Sequence, residues 1–294
     1  MSGLAAAAIW GGMYVVSKVV LDVIPPFALL TLRLLLGILA LGVFVLRRGG
    51  SPAGRLKFEL VAVGLIGYGI SLGFQFTGTR LSTASNGALV TSATPAFVLL
   101  FAAWILGEPV TRQRLLALLL SSLGVLAVID PRTASLSPQL FWGNLCLVAA
   151  ALTWALYSVL VRKVSQRSDL LWASWLFFWG GLPVSIPVGA WELQTMPLGQ
   201  ITPGVILGVL YLGVISTALA MFLWNRAFAL LPAGTASLTF FAQPVVGAGL
   251  GALFLGEKLS LFFLFGGALI GLGLWLAASE ENRKMVVQSA GGKG

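Results

Sequence analysis

Ten separate stretches of this chain stay apolar for the length of a membrane crossing, and no other feature limits its possible folds so severely. A hydrocarbon layer of about 30 Å takes roughly 20 helical residues at about 1.5 Å each. The runs lie at approximately 3–21, 27–46, 58–78, 85–106, 115–129, 141–161, 170–189, 205–223, 237–255 and 261–278. They are apolar in every register, whereas the strands of a membrane barrel alternate polar and apolar positions. The sequence therefore predicts an all-α polytopic membrane protein with ten transmembrane helices. Only 9% of the residues are charged and 58% are hydrophobic, which leaves too little polar surface to face water all round. The first run reads as a retained helix rather than a cleaved signal, because nothing basic precedes Lys18.

In such a chain the net charge of +9 reports orientation before it reports any nucleic-acid partner. With ten spans the two termini share a side. That side holds Arg47, Arg48, Arg55, Lys57, Arg112, Arg114, Arg162, Lys163, Arg167, Arg226, Arg283, Lys284 and Lys293, against Arg80, Arg132 and Lys258 on the other. Lys18 and Arg33 fall inside spans. The excess predicts a multi-pass protein of the inner (cytoplasmic) membrane with both termini cytoplasmic.

The chain also repeats itself. A shift of 149 places Gly64 on Gly213, Pro95 on Pro244, Gly107-Glu108 on Gly256-Glu257 and Gly124 on Gly273; a shift of 144 places Trp10 on Trp154 and Lys18 on Arg162. This divides the chain into a first five-helix repeat at 1–130, a second at 131–278, and a cytoplasmic tail at 279–294 expected to be disordered. Five is odd, so the second copy enters the membrane from the opposite face. Inverted repeats of this kind are what secondary transporters use to open one central site to each side in turn.

Trp10-Gly11 followed by Lys18, Pro26 with Arg33, and a Gly-Glu pair closing the fourth and ninth helices together resemble the drug/metabolite transporter superfamily, in particular its EamA-type members. The resemblance spans nearly the whole chain and is greatest to the YddG-type aromatic amino-acid exporters. It implies export of aromatic and other neutral amino acids, with toxic organic cations as the alternative cargo.

Residues able to line a path recur in both halves. Trp10, Tyr14 and Lys18 are spaced by four on one helix face, and Trp154, Ser158 and Arg162 repeat them. Asn86 and Thr94 have Thr235 and Gln243 as counterparts, with Thr239 opposite Val90; Tyr68 and Gln75 correspond to Thr217 and Trp224. Polar side chains within spans face protein or water, so Trp10, Tyr14, Lys18, Tyr68, Gln75, Asn86, Thr94, Trp154, Ser158, Thr217, Thr239 and Gln243 are the candidate substrate-binding set. The plainer alternatives are aromatic packing and hydrogen bonds between helices. Pro95 and Pro244 mark expected kinks. Lys18 and Arg33 suit a substrate carboxylate, or else snorkel to headgroups. Glu108 and Glu257 are expected to face the N-termini of the helices that follow them, capped by Thr111 and Ser260.

With no histidine and one cysteine, Cys146, no catalytic or metal constellation is legible, no cofactor is expected, and an intramembrane enzyme or a channel is the less favoured class. No nucleotide-binding motif is present. The partners expected are a small-molecule substrate and membrane lipid, without nucleic acid; the oligomeric state stays open. All nine acids lie in loops, tails or span ends, so proton coupling is not expected.

Overall fold

The computed structural model describes residues 1–50, 52–82, 87, 90–129, 140–255 and 261–291, and no strand occurs among them. Backbone groups in apolar surroundings need partners within their own segment, which helices alone supply here. The helices are α1 (Ser2–Leu21), α2 (Pro26–Arg48), α3 (Gly54–Leu81), α4 (Thr94–Leu106), α5 (Arg112–Ile129), α6 (Phe141–Ser165), α7 (Leu170–Thr195), α8 (Pro203–Leu230), α9 (233–255) and α10 (Leu261–Gly291). Each predicted run coincides with one of them, although residues 85, 86, 88 and 89 of the fourth lie outside the described set. By length and composition α2, α3, α6, α7 and α8 each suffice to cross a membrane, and α1, α4 and α10 contain shorter apolar stretches. The last helix runs on through 279–291, within the 279–294 stretch that the sequence predicts as a disordered tail; the stretch is rich in helix formers such as Ala, Glu, Arg, Lys and Met.

Local signals place the ends. Asp169 caps α7 by accepting from Leu171 N and Trp172 N at 3.0 and 3.2 Å, and Thr202 caps α8 ahead of Pro203. Gly107 ends α4 with φ +67°, a left-handed turn that brings Glu108 N within 3.2 Å of Ala102 O.

The two expected kinks take a more specific form. Pro95 sits in the first turn of α4, just after a non-helical turn at Ser92 and Ala93. In α9 a 3₁₀ turn, Thr239–Phe241, gives way to α-helix at Ala242, with Pro244 two residues on. A proline in a first turn forfeits no hydrogen bond, so each follows a break rather than bending a continuous helix. Two wide π-helical stretches, Leu65–Ser71 in α3 and Tyr211–Leu219 in α8, occupy repeat-equivalent places and leave no trace in the apolar pattern. In the second, Thr217 Oγ1 donates to Leu212 O at 2.7 Å.

Packing follows an exchange rule. The main helix pairs are α1 with α9 and α6 with α4; α2 with α8 and α7 with α3; α1 with α8 and α6 with α3; and two self-matched pairs, α2 with α7 and α5 with α10. Swapping each helix for the one five places along maps this set onto itself. Glycines sit at the self-matched crossings. A Cβ on Gly37 would meet Phe178 and Thr217, and one on Gly181 would meet Leu34 and Tyr68; under the 144 and 149 shifts these are the same contacts. Gly124 likewise meets Ile270 of α10, and Gly273 meets Ala117 of α5.

One end of the molecule gathers charge. Arg48 pairs with Asp169 at 2.9 Å and Arg167 with Glu59 at 2.6 Å, while Arg162 donates to Ala229 O at 2.6 Å. Around the sides, large apolar side chains such as Phe44, Leu100, Trp104 and Leu207 are more than half exposed, a surface suited to hydrocarbon.

Candidate functional site

A small cavity lies where α1, α3, α4, α6, α8 and α9 converge. Its wall includes Trp10 and Trp154, Leu72 and Met221, Thr91 and Phe240, and Thr94 and Gln243. Every one of these pairs is related by the 144 or 149 shift, so the cavity sits on the axis about which the halves exchange. Met13, Ser71 and Gln75 complete its polar and flexible lining. Its volume is about 30 Å³, room for roughly two waters.

The aromatic wall is held firmly. Trp10 Nε1 donates to Ser216 O at 3.0 Å, and Gln243 Nε2 donates to Trp10 O at 3.3 Å. The Trp10 ring stands edge-on to Trp154 at 5.9 Å and against Trp224 at 5.3 Å. Trp154 Nε1, in contrast, is buried without a hydrogen-bond partner among the described residues.

Of the predicted set, Trp10, Gln75, Thr94, Trp154 and Gln243 meet at the cavity. Tyr68, Ser158 and Thr217 are fully buried behind it and are engaged in helix-to-helix bonds instead. Ser158 Oγ accepts from Trp224 Nε1 at 3.1 Å and donates to Trp154 O at 2.8 Å. The Tyr68 and Tyr157 hydroxyls are 2.7 Å apart, and Tyr157 Oη is 2.7 Å from Asn225 Oδ1. Asn225 Nδ2 also donates to Ser174 Oγ at 3.1 Å. Thr239 bonds its own helix through Ala236 O and lies against Gly3 of α1, away from the cavity. The Tyr14 and Lys18 side chains and Asn86 lie outside the described residues, as do Glu257 and Ser260.

Arg33 is buried at 0% exposure. Its Nε donates to Thr217 Oγ1 at 3.0 Å, and Nη2 reaches Ser216 Oγ at 3.4 Å and Met13 Sδ at 3.8 Å. The guanidinium carbon stands 5.0 Å from the centre of the Phe76 ring, a cation–π arrangement. Nη1 has no partner. Snorkelling does not apply to a side chain so enclosed.

Two acids serve the scaffold. Glu108 accepts from Ala233 N and Gly234 N at 2.7 and 3.2 Å and pairs with Arg114 at 3.4 Å. It therefore caps α9, not the α5 that follows it in sequence; the tight left-handed turn at Gly107 aims it across the bundle. Thr111 does cap α5, accepting from Arg114 N at 3.1 Å. Glu192, which sequence reasoning passed over, holds the start of α2 through Phe27 N at 2.7 Å and Ala28 N at 3.3 Å. Its signal was available: an acid near the end of a span demands a donor, and the only free N–H groups in apolar surroundings are at helix N-termini.

Comparison with known proteins agrees with this architecture. A sequence profile of the EamA-like transporter family matches residues 1–129 and 141–279. The chain is 29% identical over 288 residues to a Salmonella typhimurium protein described as a probable amino-acid metabolite efflux pump, covering 93% of this chain and 92% of that one. It is 24% identical over 287 residues to the uncharacterised transporter YoaV of Bacillus subtilis, covering 96% and 97%. A solved structure 21% identical in sequence superposes with a TM-score of 0.80 over 96% of each chain.

Proposed function

Because the chain belongs to the EamA-like transporter family, a family of multi-span membrane proteins, we propose that it exports aromatic and other neutral amino acids across the inner membrane by alternating access. On this reading all ten helices span, the halves are inverted in the membrane, and the charged end with both termini is cytoplasmic. The observation that carries it is the cavity wall built of repeat-equivalent pairs, since a site on the exchange axis can be opened by either half in turn. Trp10, Trp154 and Phe240 offer faces to an aromatic substrate, at about 0.5–1.5 kcal/mol for each good contact. The Salmonella relative's description points to the same class of cargo. Organic cations would also favour these rings, but the Arg33 cation, in contact with Met13 of the cavity wall, opposes that cargo.

Among the described residues the wall contains no acid, and the chain has no histidine; this supports flux down the substrate gradient. Uptake of labelled tryptophan, phenylalanine, threonine and lysine into liposomes tests this. Saturable uptake that prefers aromatic residues, ignores an imposed pH gradient and weakens in Trp154→Ala is expected. No uptake of any amino acid would remove the substrate assignment, and strict dependence on the pH gradient would remove the uncoupled mechanism.

A further inference from the structure

The exchange axis relates two four-residue seats beside the cavity. In one, Tyr157, Phe177, Asn225 and Tyr68 are neighbours: the Tyr157 and Phe177 rings are 5.7 Å apart, and Tyr157 bonds both Tyr68 and Asn225. In the other, the equivalent positions are Met13, Arg33, Phe76 and Thr217, joined by the contacts of the Arg33 guanidinium. The first seat is neutral, and its hydroxyl and amide groups satisfy one another. The second holds a cation, and an arginine stays charged in proteins.

The fold does not need that cation, because it builds the same seat around Phe177. Nor is the cation compensated, since among the described residues no carboxylate pairs with it. Removing a charge from water costs several kcal/mol unless a counter-charge and hydrogen bonds replace the water. Two buried donors are unfilled among the described residues: one guanidinium N–H₂, and the indole N–H of Trp154, which is on the cavity wall. Both are donors, so the missing partner is an acceptor, and beside a guanidinium it is an anion with paired oxygens. Met13 links Arg33 to the open space, touching the one through sulfur and lining the other. Its thioether side chain is unbranched and swings readily.

We infer that Arg33 is the carboxylate-binding residue of this cavity, uncovered when Met13 moves aside, so that the protein selects substrates carrying a carboxylate and rejects cations. The inference rests on the cavity being the transport site and names the chemistry of its cargo. The ammonium group of an amino acid is then not the feature recognised.

Four probes of one shape separate the possibilities: phenylalanine, phenylalanine amide, 3-phenylpropionate and phenethylamine. With protein purified in detergent, phenylalanine and phenylpropionate are expected to raise the unfolding temperature at concentrations at least about tenfold lower than the amide and the amine require. Arg33→Gln erases this preference, and Trp154→Phe, which keeps a ring and removes the N–H, reduces it. Should Arg33→Gln fail to fold, the wild-type ranking together with Trp154→Phe decides. Stabilisation by phenylpropionate, lost in Arg33→Gln, combined with no amino-acid uptake into liposomes, leaves the inference standing and removes the amino-acid assignment. Equal effects of acid and amine on the wild type, no effect of any carboxylate, or an unchanged preference in Arg33→Gln or Trp154→Phe overturns it.

Discussion

Gly11→Ala tests the packing on which the cavity depends. A Cβ at Gly11 would stand 2.9 Å from Gln243 O, 2.9 Å from Gly247 N and 3.2 Å from Val246 Cβ. Ordinary contact begins near 3.4 Å, so α1 and α9 must part by about half an ångström. Two of the three obstacles are backbone, and no rotamer change relieves them. Overpacking of this kind costs about 1–3 kcal/mol, offset by up to about 1 kcal/mol of helix propensity. Gly271→Ala supplies the control, because a Cβ there meets nothing within 4 Å and gains the propensity alone. The pair of variants should therefore differ by about 1–3 kcal/mol in unfolding in detergent, whatever the propensity is worth. Transport should fall only in Gly11→Ala, since Gln243 bonds the Trp10 carbonyl at this crossing. Equal stability of the two variants would mean that α1 and α9 do not meet here as described.

Tyr157→Phe leaves Asn225 Oδ1 and Tyr68 Oη each short of a partner and should cost about 1–3 kcal/mol. That exceeds the ~0.6 kcal/mol typical of a bond between membrane helices; adding Asn225→Leu should not add its full separate cost, as a double-mutant cycle in detergent unfolding will read. Glu108→Gln removes the charge that caps α9 and pairs with Arg114, and should lower stability by about 1–2 kcal/mol while leaving substrate preference unchanged in competition uptake.

The helices were legible because the apolar runs are long, and the duplication because Trp10, Gly64 and Pro95 have counterparts in register. Which polar residues line the cavity was less so. Trp154 and Ser158 are four apart on α6 and look equivalent in sequence, yet one reaches the cavity and the other bonds Trp224. The π-helical stretches in α3 and α8 change which side chains share a face, and nothing in the composition of 65–71 or 211–219 announces them. The four-residue glycine spacings 69/73 and 267/271, which allow helices to approach closely, are equally silent about which faces meet. Gly69 and Gly73 meet Val184 and Phe27, whereas Gly267 has only Val245 Cγ1 at 3.9 Å and Gly271 nothing. The spacing permits close approach and does not say which helix faces arrive. Tyr157, inside the sixth apolar run, and Asn225, just past the end of the eighth, went unnoticed as single polar residues, a signal that names a network only once its members are brought together.

The two seats also bear on direction. The cavity has room for about two waters, far less than an aromatic side chain occupies, so the helices must part for any such substrate to enter. If the halves exchange roles in the proposed cycle, the Arg33 seat and the neutral Phe177 seat exchange their access as well. Carboxylate binding is then stronger in whichever state uncovers Arg33. An uncoupled carrier must keep Vmax/KM equal in the two directions, because at equal concentrations there is no net flux. The asymmetry of the seats therefore has to emerge as a lower KM and a proportionally lower Vmax from one face. Uptake and efflux measured on liposomes with uniformly oriented protein should show this for phenylalanine, and Arg33→Gln should bring the two KM values together. Equal KM values in the wild type would mean that the charged seat is equally accessible in both states, and the exchange would then not run through these seats.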